Sequence, residues 1–486
     1  MSPASGITLP HLQLQVTSGD VPSPEMTASA HLATQIQPVP AAFATSPGAD
    51  AFVWQTGGGV ATIVGSNPRS SLFGVYDLLE EWGCRFFSPD ADDEIVSRLD
   101  ENPLDEPRER FEQATFVYRE RHFLEWIDAD LTRREIDHAA KRRMNGFVFH
   151  IEDFAHDPAI WQIVLQDLVP EIARRGLLPG IGEHGGYPLF LPPQLYAANH
   201  PDWYAQVDGR RVPGFRANGE RYQFCTEHPG ARATFLSNLE TFLRQNPLIR
   251  ILHLAPEDAG RWCECTLCSP TPVAERYLRL DNAIAELAHH NRAELSVTHL
   301  VYANHAELPA KARPKPGLKV SFVPFGRDFS RPITDPRANM RLGAHPWSLD
   351  LIEDWARLCQ TSGAGFIEHT KGFRQRWITF RMLPLPHLQV DLRWWRGIGA
   401  HGFNAPQEGE GWWTKHLNAY VFARLMWNLD EPVEEMLRDY FERYWAGISD
   451  DAREVYRQVS EALPNLSYAR NQPAHLPNRA LGLRLP

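Results

Sequence analysis

Apolar residues along the central part of this chain follow two alternating patterns, short continuous runs typical of strands and a helical periodicity. From Thr115 onward, short apolar runs of strand length alternate with stretches of helical periodicity, clearest at 231–244 and 272–290. This order is typical of βα units around a parallel sheet. Eight strands are predicted, at 115–122, 146–152, 177–182, 250–255, 294–302, 318–324, 365–369 and 402–405. Eight such units favour a closed (β/α)8 TIM barrel over an open doubly wound sheet, and no glycine-rich phosphate motif opens a helix.

The segments on either side of the barrel predict smaller parts. Residues 51–64 alternate like a hairpin around three consecutive glycines, and 66–82 repeat apolar residues on one helical face. After the eighth strand, 415–427 and 432–445 are predicted as amphipathic helices. The sequence therefore predicts an α/β protein with a small N-terminal α/β domain at 1–105, a catalytic barrel at 106–412, and C-terminal helices with an irregular tail at 413–486.

The composition of the chain limits the kinds of molecule that it is expected to bind. A net charge of −11 without a Lys/Arg block argues against nucleic acid, and no apolar run approaches the roughly 20 residues that cross a bilayer. The first Lys or Arg is Arg69, so a signal peptide is not expected; the predicted location is cytoplasmic, or secreted or periplasmic if a leader has been removed. Fifteen Trp residues suit stacking on sugar rings, although core packing explains most Trp in any enzyme. The sequence says nothing about oligomeric state.

Charged groups at the C-terminal ends of the predicted strands are the first candidates for chemistry, because barrel enzymes carry their active sites there. Taken strand by strand, they are Arg119, Arg121 and His122; His150, Glu152 and Asp153; Glu183 and His184; Glu257 and Asp258; His305; Arg327 and Asp328; Glu368 and His369; Glu408 and Glu410. Arg119 and Arg121 can bind a substrate carboxylate or neutralise nearby acids, and the second role is favoured. The predicted substrate contacts are Arg121, His122, Trp126, His184, Tyr302, Trp377, Glu408 and Trp412.

Two carboxyl groups facing each other across such a pocket indicate glycosidic bond hydrolysis, in which one protonates the leaving oxygen and the other attacks or activates water. Glu257 or Asp258 after the fourth strand is the predicted acid, and Glu368 in the seventh strand is the predicted base or nucleophile. Barrel mouths also collect carboxylates that bind Arg or cap helices. In a second arrangement, one of the adjacent pair protonates the bond while the other orients an N-acetyl group of the substrate as internal nucleophile.

Three thiols follow this loop in a C-x-C-x-x-C array formed by Cys263, Cys265 and Cys268. With Cys225 as a fourth ligand, the array can hold one zinc ion tetrahedrally, in a closed and therefore structural site that pins the catalytic loop. Free thiols or a disulfide between Cys263 and Cys268 are the alternatives. No organic cofactor is expected.

Two parts of the chain resemble known families. Residues 65–80, GSNPRSSLFGVYDLLE, continuing to GCRFF at 83–87, resemble the N-terminal domain that precedes the barrel in family 67 α-glucuronidases. HPDWY at 200–204, QFC at 223–225, PED at 256–258 with the three cysteines, and 418–428 resemble a bacterial family known as domain of unknown function 4838. The resemblance implies a glycosidase-type barrel, and relatives of that family include endo-β-N-acetylglucosaminidases acting on N-glycans.

By position, the resemblance assigns the usual acid to Asp258 and the acid of the seventh strand to Glu368. Glu257 stands where an amide is expected, and Ile367 and His369 replace the aromatic residues around Glu368. The sequence therefore predicts a glycoside hydrolase acting on an oligosaccharide or glycan, with hexosamine substrates implied by the resemblance. The alternatives are a non-catalytic carbohydrate-binding barrel, an α-glucuronidase-like hydrolase, and a zinc hydrolase that uses the cysteine cluster.

Overall fold

The fold is seen in a computed structural model of the 486-residue chain. It describes residues 14–18, 49–99, 102–123, 128–151, 157–214, 221–258, 260–302, 305–324, 331–338, 348–369, 387–407 and 412–462.

A four-stranded sheet with one helix forms the N-terminal part. Its strands are β1 (Leu14–Ser18), β2 (Ala51–Gly57), β3 (Val60–Gly65) and β4 (Arg108–Gln113), in the order β1-β3-β2-β4. Helix α1 (Pro68–Glu81) follows β3 and begins with the Asn67 side chain accepting a hydrogen bond from the Ser70 amide at 3.0 Å. Since β4 pairs with β2, the small sheet extends beyond the predicted boundary at residue 105.

Eight parallel strands close into the predicted barrel. The strands are β5 (Tyr118–Phe123), β6 (Gly146–His150), β7 (Leu178–Glu183), β10 (Ile251–Leu254), β11 (Ser296–Val301), β12 (Leu318–Phe322), β13 (Gly365–His369) and β14 (Gly402–Gln407). A separate hairpin of β8 (Ala205–Val207) and β9 (Arg210–Val212) lies between β7 and β10 in the chain. All eight strands predicted from the sequence are present, and the closed order β10-β11-β12-β13-β14-β5-β6-β7 confirms the TIM-type barrel.

Helices cover the barrel and the chain's C-terminal part. They are α2 (Ala129–Lys141), α3 (Pro158–Gln162) continuing through the π turn Ile163–Leu168 into α4 (Val169–Arg174), α5 (Gly186–Phe190), α6 (Pro193–Tyr196), α7 (Pro229–Gln245), α8 (Val273–Asn291), α9 (Leu349–Ser362), α10 (Leu388–Gly397), α11 (Trp412–Trp427), α12 (Val433–Tyr444) and α13 (Ser449–Ala462). Among the described helices, none has the length and apolar character that crossing a bilayer requires.

A buried carboxylate joins the small sheet to the barrel. Asp50 is fully buried beside β2, and its carboxylate accepts a hydrogen bond from Arg119 of β5 at 2.6 Å and pairs with Arg69 of α1 at 2.8 Å. Burial alone would raise the pKa of Asp50, but the two guanidinium groups hold it well below its ordinary value. Arg119 therefore neutralises a nearby acid on the outer side of the barrel, the role favoured for it from the sequence.

Side-chain alternation divides each barrel strand between the interior and the helix layer. Polar residues at alternate positions mark the inward side in four strands: Glu120 and His122 in β5, His253 in β10, Lys319 and Ser321 in β12, and Asn404 in β14. Contacts between these residues cross from one strand to a non-neighbouring one, so they run through the barrel interior. The polar interior lies directly beneath the candidate site.

Candidate active site

The floor of the barrel holds a buried ion pair. Lys319 of β12 donates a hydrogen bond to Glu120 of β5, and both side chains are almost completely buried. Burial would raise the pKa of Glu120, yet the ammonium of Lys319 and the neighbouring His122 lower it to about 2. A buried charge is stable only when it is paired. Lys319 and Glu120 therefore neutralise each other at the bottom of the barrel.

Above this pair, one carboxyl group is held between two histidines. Glu183, at the end of β7, accepts a hydrogen bond from Nδ1 of His122 at 2.8 Å and lies 3.2 Å from Nδ1 of His253. Burial would lower the pKa of His122, but hydrogen bonds to Glu120 and Glu183 raise it above its ordinary value. Burial lowers the pKa of His253 to about 3, so that ring is neutral. The environment therefore favours the protonated form of His122 and the neutral form of His253.

Glu183 reaches the interior because its backbone is unusual. Alternation along β7 would turn the residue after Gly182 towards the helices, but Glu183 has φ of 67° and its side chain enters the barrel. Gly182 has φ of 157°, and a Cβ there would lie 2.1 Å from the carbonyl oxygen of His253. Only glycine permits this approach, and such local strain is typical of functional positions.

The rim of the barrel brings Asp258 next to His184. The His184 ring donates through Nδ1 to the Pro256 carbonyl at 2.5 Å, and its Nε2 lies 3.7 Å from Oδ1 of Asp258. The ring also lies beside Tyr302 and His150, with centroid separations of 6.1 and 6.2 Å. The Asp258 side chain is 41% exposed, whereas that of His184 is 3% exposed. A fixed imidazole therefore faces an accessible carboxyl group at the mouth.

Glu257, the neighbour of Asp258, is turned away from solvent. Its side chain is buried, and it lines a crevice together with the rings of Tyr187, Tyr204 and Phe224. One carboxyl oxygen accepts a hydrogen bond from the Gly185 amide at 3.1 Å, and the other is buried without a hydrogen-bond partner among the described residues. Burial raises the pKa of Glu257 to about 7, despite the opposing effects of a nearby arginine and the amide.

Gln223 holds the backbone of Glu257 in place. Its amide nitrogen donates to the Glu257 carbonyl and its amide oxygen accepts from the Glu257 N–H, both at 3.0 Å. Gln223 is itself buried and lies two residues before Cys225. The loop after β10 is therefore tied to the segment that carries the fourth cysteine.

A comparison with protein-family models identifies the family of this chain. The model described as "Domain of unknown function (DUF4838)" matches residues 89–457, about three quarters of the 486 residues. The chain belongs to this family. No curated protein matches it by sequence.

Solved structures share the fold of this DUF4838 member. The family 89 glycoside hydrolase from Clostridium perfringens matches with a TM-score of 0.53 in complex with PUGNAc and 0.55 with 2-acetamido-1,2-dideoxynojirimycin, each at 12% identity. CpGH89 from the same organism, with two glutamates replaced by glutamine and in complex with its substrate GlcNAc-α-1,4-galactose, matches at 0.51 and 13% identity. The three matches cover 82%, 86% and 82% of this chain but 47%, 49% and 47% of the others. The chain thus spans about half the length of these structures, and at this identity the likeness shows the fold.

Two predicted substrate contacts of the DUF4838 chain lie away from the mouth. Arg121 is on the helix-facing side of β5 and pairs with the buried Glu135 of α2 at 2.8 Å. It neutralises an acid in the helix layer, as favoured for both arginines, and we do not retain it as a substrate contact. His122 is completely buried, with its ring nitrogens facing Glu183 and Glu120. It belongs to the interior network beneath the pocket.

Glu368, the predicted partner of the acid, is buried near the end of β13. Its register neighbours are Phe322 and Phe403, and Phe403 contacts Trp395 in the helix layer. By strand alternation the Cα–Cβ bond of Glu368 points towards the helix layer, as do those of these two phenylalanines. Its pairing with the acid across the pocket stays a prediction.

The other predicted site residues either lie in the described part of the structure or fall outside it. His184 and Tyr302 lie at the mouth, and the four predicted cysteines lie together, with ligand atoms within 4.8 Å of one another. Several residues fall outside the described part of the chain, namely Trp126, Glu152, Asp153, Arg327, Asp328, Trp377, Glu408 and Glu410, as do the side chains of His369 and Trp412.

Sequence reasoning assigned no role to His253 or Asn404, and it named Gln223 only as part of a family motif. The first two leave a detectable signal, because each is a polar residue between two buried apolar neighbours. Asn404 lies 3.4 Å from the His253 ring and 3.3 Å from the Ser321 hydroxyl, inside the barrel. The double hydrogen bond of Gln223 leaves no signal in a single sequence, because its partner is a backbone.

Proposed function

We propose that this protein is a glycoside hydrolase acting on a glycan that contains an N-acetylhexosamine, with Asp258 as the proton donor. The observation that carries the proposal is the accessible carboxyl group of Asp258 beside His184 at the mouth of a closed barrel. The fold shared with an enzyme bound to GlcNAc-α-1,4-galactose supports the substrate class.

Asp258 is the member of the adjacent pair that a substrate can reach. Protonating a glycosidic oxygen requires direct contact between the acid and the leaving group. Glu257 is only 4% exposed, whereas the side chain of Asp258 is 41% exposed. The Nδ1–H of His184 is bound to the Pro256 carbonyl, so Nε2 is the ring nitrogen that faces Asp258. In this proposal that nitrogen relays a proton to Asp258 between turnovers.

In this proposal Glu257 has a supporting role. A pKa of about 7 means that its carboxyl group is largely protonated below neutral pH, and a protonated carboxyl group resembles an amide in size and charge. This fits a position where the family resemblance leads us to expect an amide. Its hydrogen bond from Gly185 and the Gln223 clamp hold the loop that presents Asp258.

The proposal leaves two candidates for the second carboxyl group, which acts as base or nucleophile. Glu368 remains the predicted base or nucleophile, and Glu183 is the alternative because its carboxyl group lies inside the barrel. If the substrate's own N-acetyl group attacks, neither acid forms a covalent bond, and a polar group that orients the N-acetyl group suffices. Glu183→Gln and Glu368→Gln distinguish these cases.

The test is turnover by the purified chain of p-nitrophenyl N-acetylglucosaminides of both anomers, GlcNAc-α-1,4-galactose and an N-glycan. A p-nitrophenyl glucuronide tests the α-glucuronidase-like alternative. The proposal predicts hydrolysis of a GlcNAc-containing substrate, reduced about 10²- to 10⁴-fold by Asp258→Asn, the usual share of a general acid. Sugar binding by calorimetry without product formation would instead indicate a carbohydrate-binding barrel and contradict the proposal.

A further inference from the structure

Four buried thiols from two separate segments converge next to the loop of Asp258. Cys225 follows the β8–β9 hairpin, and Cys263, Cys265 and Cys268 follow β10. The Cys225 sulfur lies 3.6 Å from that of Cys265 and 3.5 Å from that of Cys268. None of the four is joined in a disulfide.

These separations match a metal-centred tetrahedron of sulfurs. A Zn–S bond of about 2.3 Å in tetrahedral geometry puts neighbouring sulfurs about 3.8 Å apart. The measured separations of 3.5 and 3.6 Å are close to this value and far longer than a disulfide bond of about 2.05 Å. Four thiolates leave no open position for water, so such a site is structural and cannot itself hydrolyse a substrate.

The surroundings provide the donors that thiolate ligands need. The Gln206 amide donates to the Cys263 sulfur at 3.3 Å, and the Arg211 guanidinium lies 3.7 Å from the same sulfur. The Glu264 amide in turn donates to the Gln206 carbonyl at 2.8 Å, which fixes the hairpin to the cysteine loop. Outer contacts of this kind orient metal ligands and offset their negative charge.

The apolar contacts around the thiols are few. Besides the four cysteines, their buried cluster contains Ala205, Val207, Val212 and Tyr222. The hairpin strands have only three residues each. A core of this size contributes little burial, and small units of this kind are usually stabilised by a metal or by disulfides.

A second group of potential ligands lies in the barrel, and its spacing differs. His122, Glu183 and His253 also come within 4.8 Å of one another. However, the oxygen of Glu183 lies only 2.8 Å from the His122 nitrogen, a hydrogen-bond distance. Ligands on one zinc at about 2.1 Å would be about 3.4 Å apart, so a proton fills this gap better than a metal does.

We infer that Cys225, Cys263, Cys265 and Cys268 bind one zinc ion that fastens the β8–β9 hairpin to the loop carrying Asp258. The inference does not depend on sugar cleavage. Through Gln223, two residues before Cys225, the same ion fixes the backbone of Glu257.

The first measurement is the metal content of the full chain, purified without chelators and analysed by inductively coupled plasma mass spectrometry. About one zinc per chain is expected, and Cys225→Ser or Cys263→Ser lowers the content about tenfold or more. Cys84→Ser and Cys359→Ser, matched changes of buried cysteines outside the cluster, retain the zinc. Zinc well below one equivalent in the wild type, or retained in both cluster variants, overturns the inference.

Cobalt substitution of the wild-type chain provides a readout that does not depend on whether the variants fold. A tetrathiolate site gives intense thiolate-to-cobalt charge-transfer absorption, whereas a site formed by His122, Glu183 and His253 gives none. A cobalt protein without that absorption contradicts the cysteine assignment, whatever the activity assays show.

Discussion

Glu257→Gln is the change that most directly examines the buried carboxyl group next to the proposed acid. The glutamine side chain has nearly the same shape and keeps an oxygen to accept the Gly185 amide. The variant therefore differs from the wild type mainly where Glu257 would be ionised. Its effect on stability is expected to depend strongly on pH.

The sign and size follow from the shifted pKa. The folded protein holds the Glu257 proton up to a pKa of about 7, against 4.5 for an unperturbed glutamate. Between these values the folded state binds more protons than the unfolded state, so wild-type stability falls as pH rises through this window. A pKa shift of about 2.5 corresponds to a loss of on the order of 3 kcal/mol in the free energy of unfolding of the wild type. The glutamine variant does not lose this stability.

Thermal unfolding of both proteins at pH 5 and pH 8 measures the effect. For a chain of this size 1 kcal/mol corresponds to about 1 °C, so the variant should gain about 3 °C relative to wild type between the two pH values. Glu264→Gln, a change of an exposed carboxylate on the same loop, serves as the control and should show no such gain. A wild-type-to-variant difference that is the same at both pH values would refute a neutral buried Glu257.

Three further changes test the parts around the site. Gln223→Ala removes both hydrogen bonds to the Glu257 backbone and should cost about 1–3 kcal/mol in denaturant unfolding, with a lower kcat for any substrate cleaved. Lys319→Met leaves Glu120 buried without its partner and should destabilise by about 3–5 kcal/mol, an effect that the double variant with Glu120→Gln should largely relieve. Gly182→Ala puts a Cβ 2.1 Å from a β10 carbonyl oxygen and should lower soluble yield and thermal stability sharply; unchanged stability would contradict the backbone described here.

The fold could be predicted largely because its strands are buried on both faces. Most of these strands appear as short apolar runs between amphipathic helices, and all eight were placed within a few residues of their observed bounds. The boundary of the small domain was harder to predict from the sequence. β4, with the sequence RERFEQ, is mostly polar and lacks an apolar pattern, and only its pairing with β2 assigns it to the small sheet.

The sequence predicted which loops form the candidate site, but it did not predict the direction in which each side chain points. Strand ends identified His184 and the Glu257–Asp258 pair, but sequence gives no means of knowing which of two adjacent acids is buried. Glu183 shows the same limit, because its entry into the barrel depends on a positive φ that overrides strand alternation. The cysteine cluster was easier, since ligand type and spacing are visible in the sequence.

The central claim is that Asp258, and not Glu257, gives the proton. It is tested by comparing kcat/KM of Asp258→Asn and Glu257→Gln on a GlcNAc disaccharide and on an aryl glycoside whose leaving group needs no protonation. The account predicts that Asp258→Asn loses about 10²- to 10⁴-fold on the disaccharide but far less on the activated substrate, while Glu257→Gln loses less than about tenfold on both. The reverse order, with Glu257→Gln selectively disabling cleavage of the disaccharide, would contradict it.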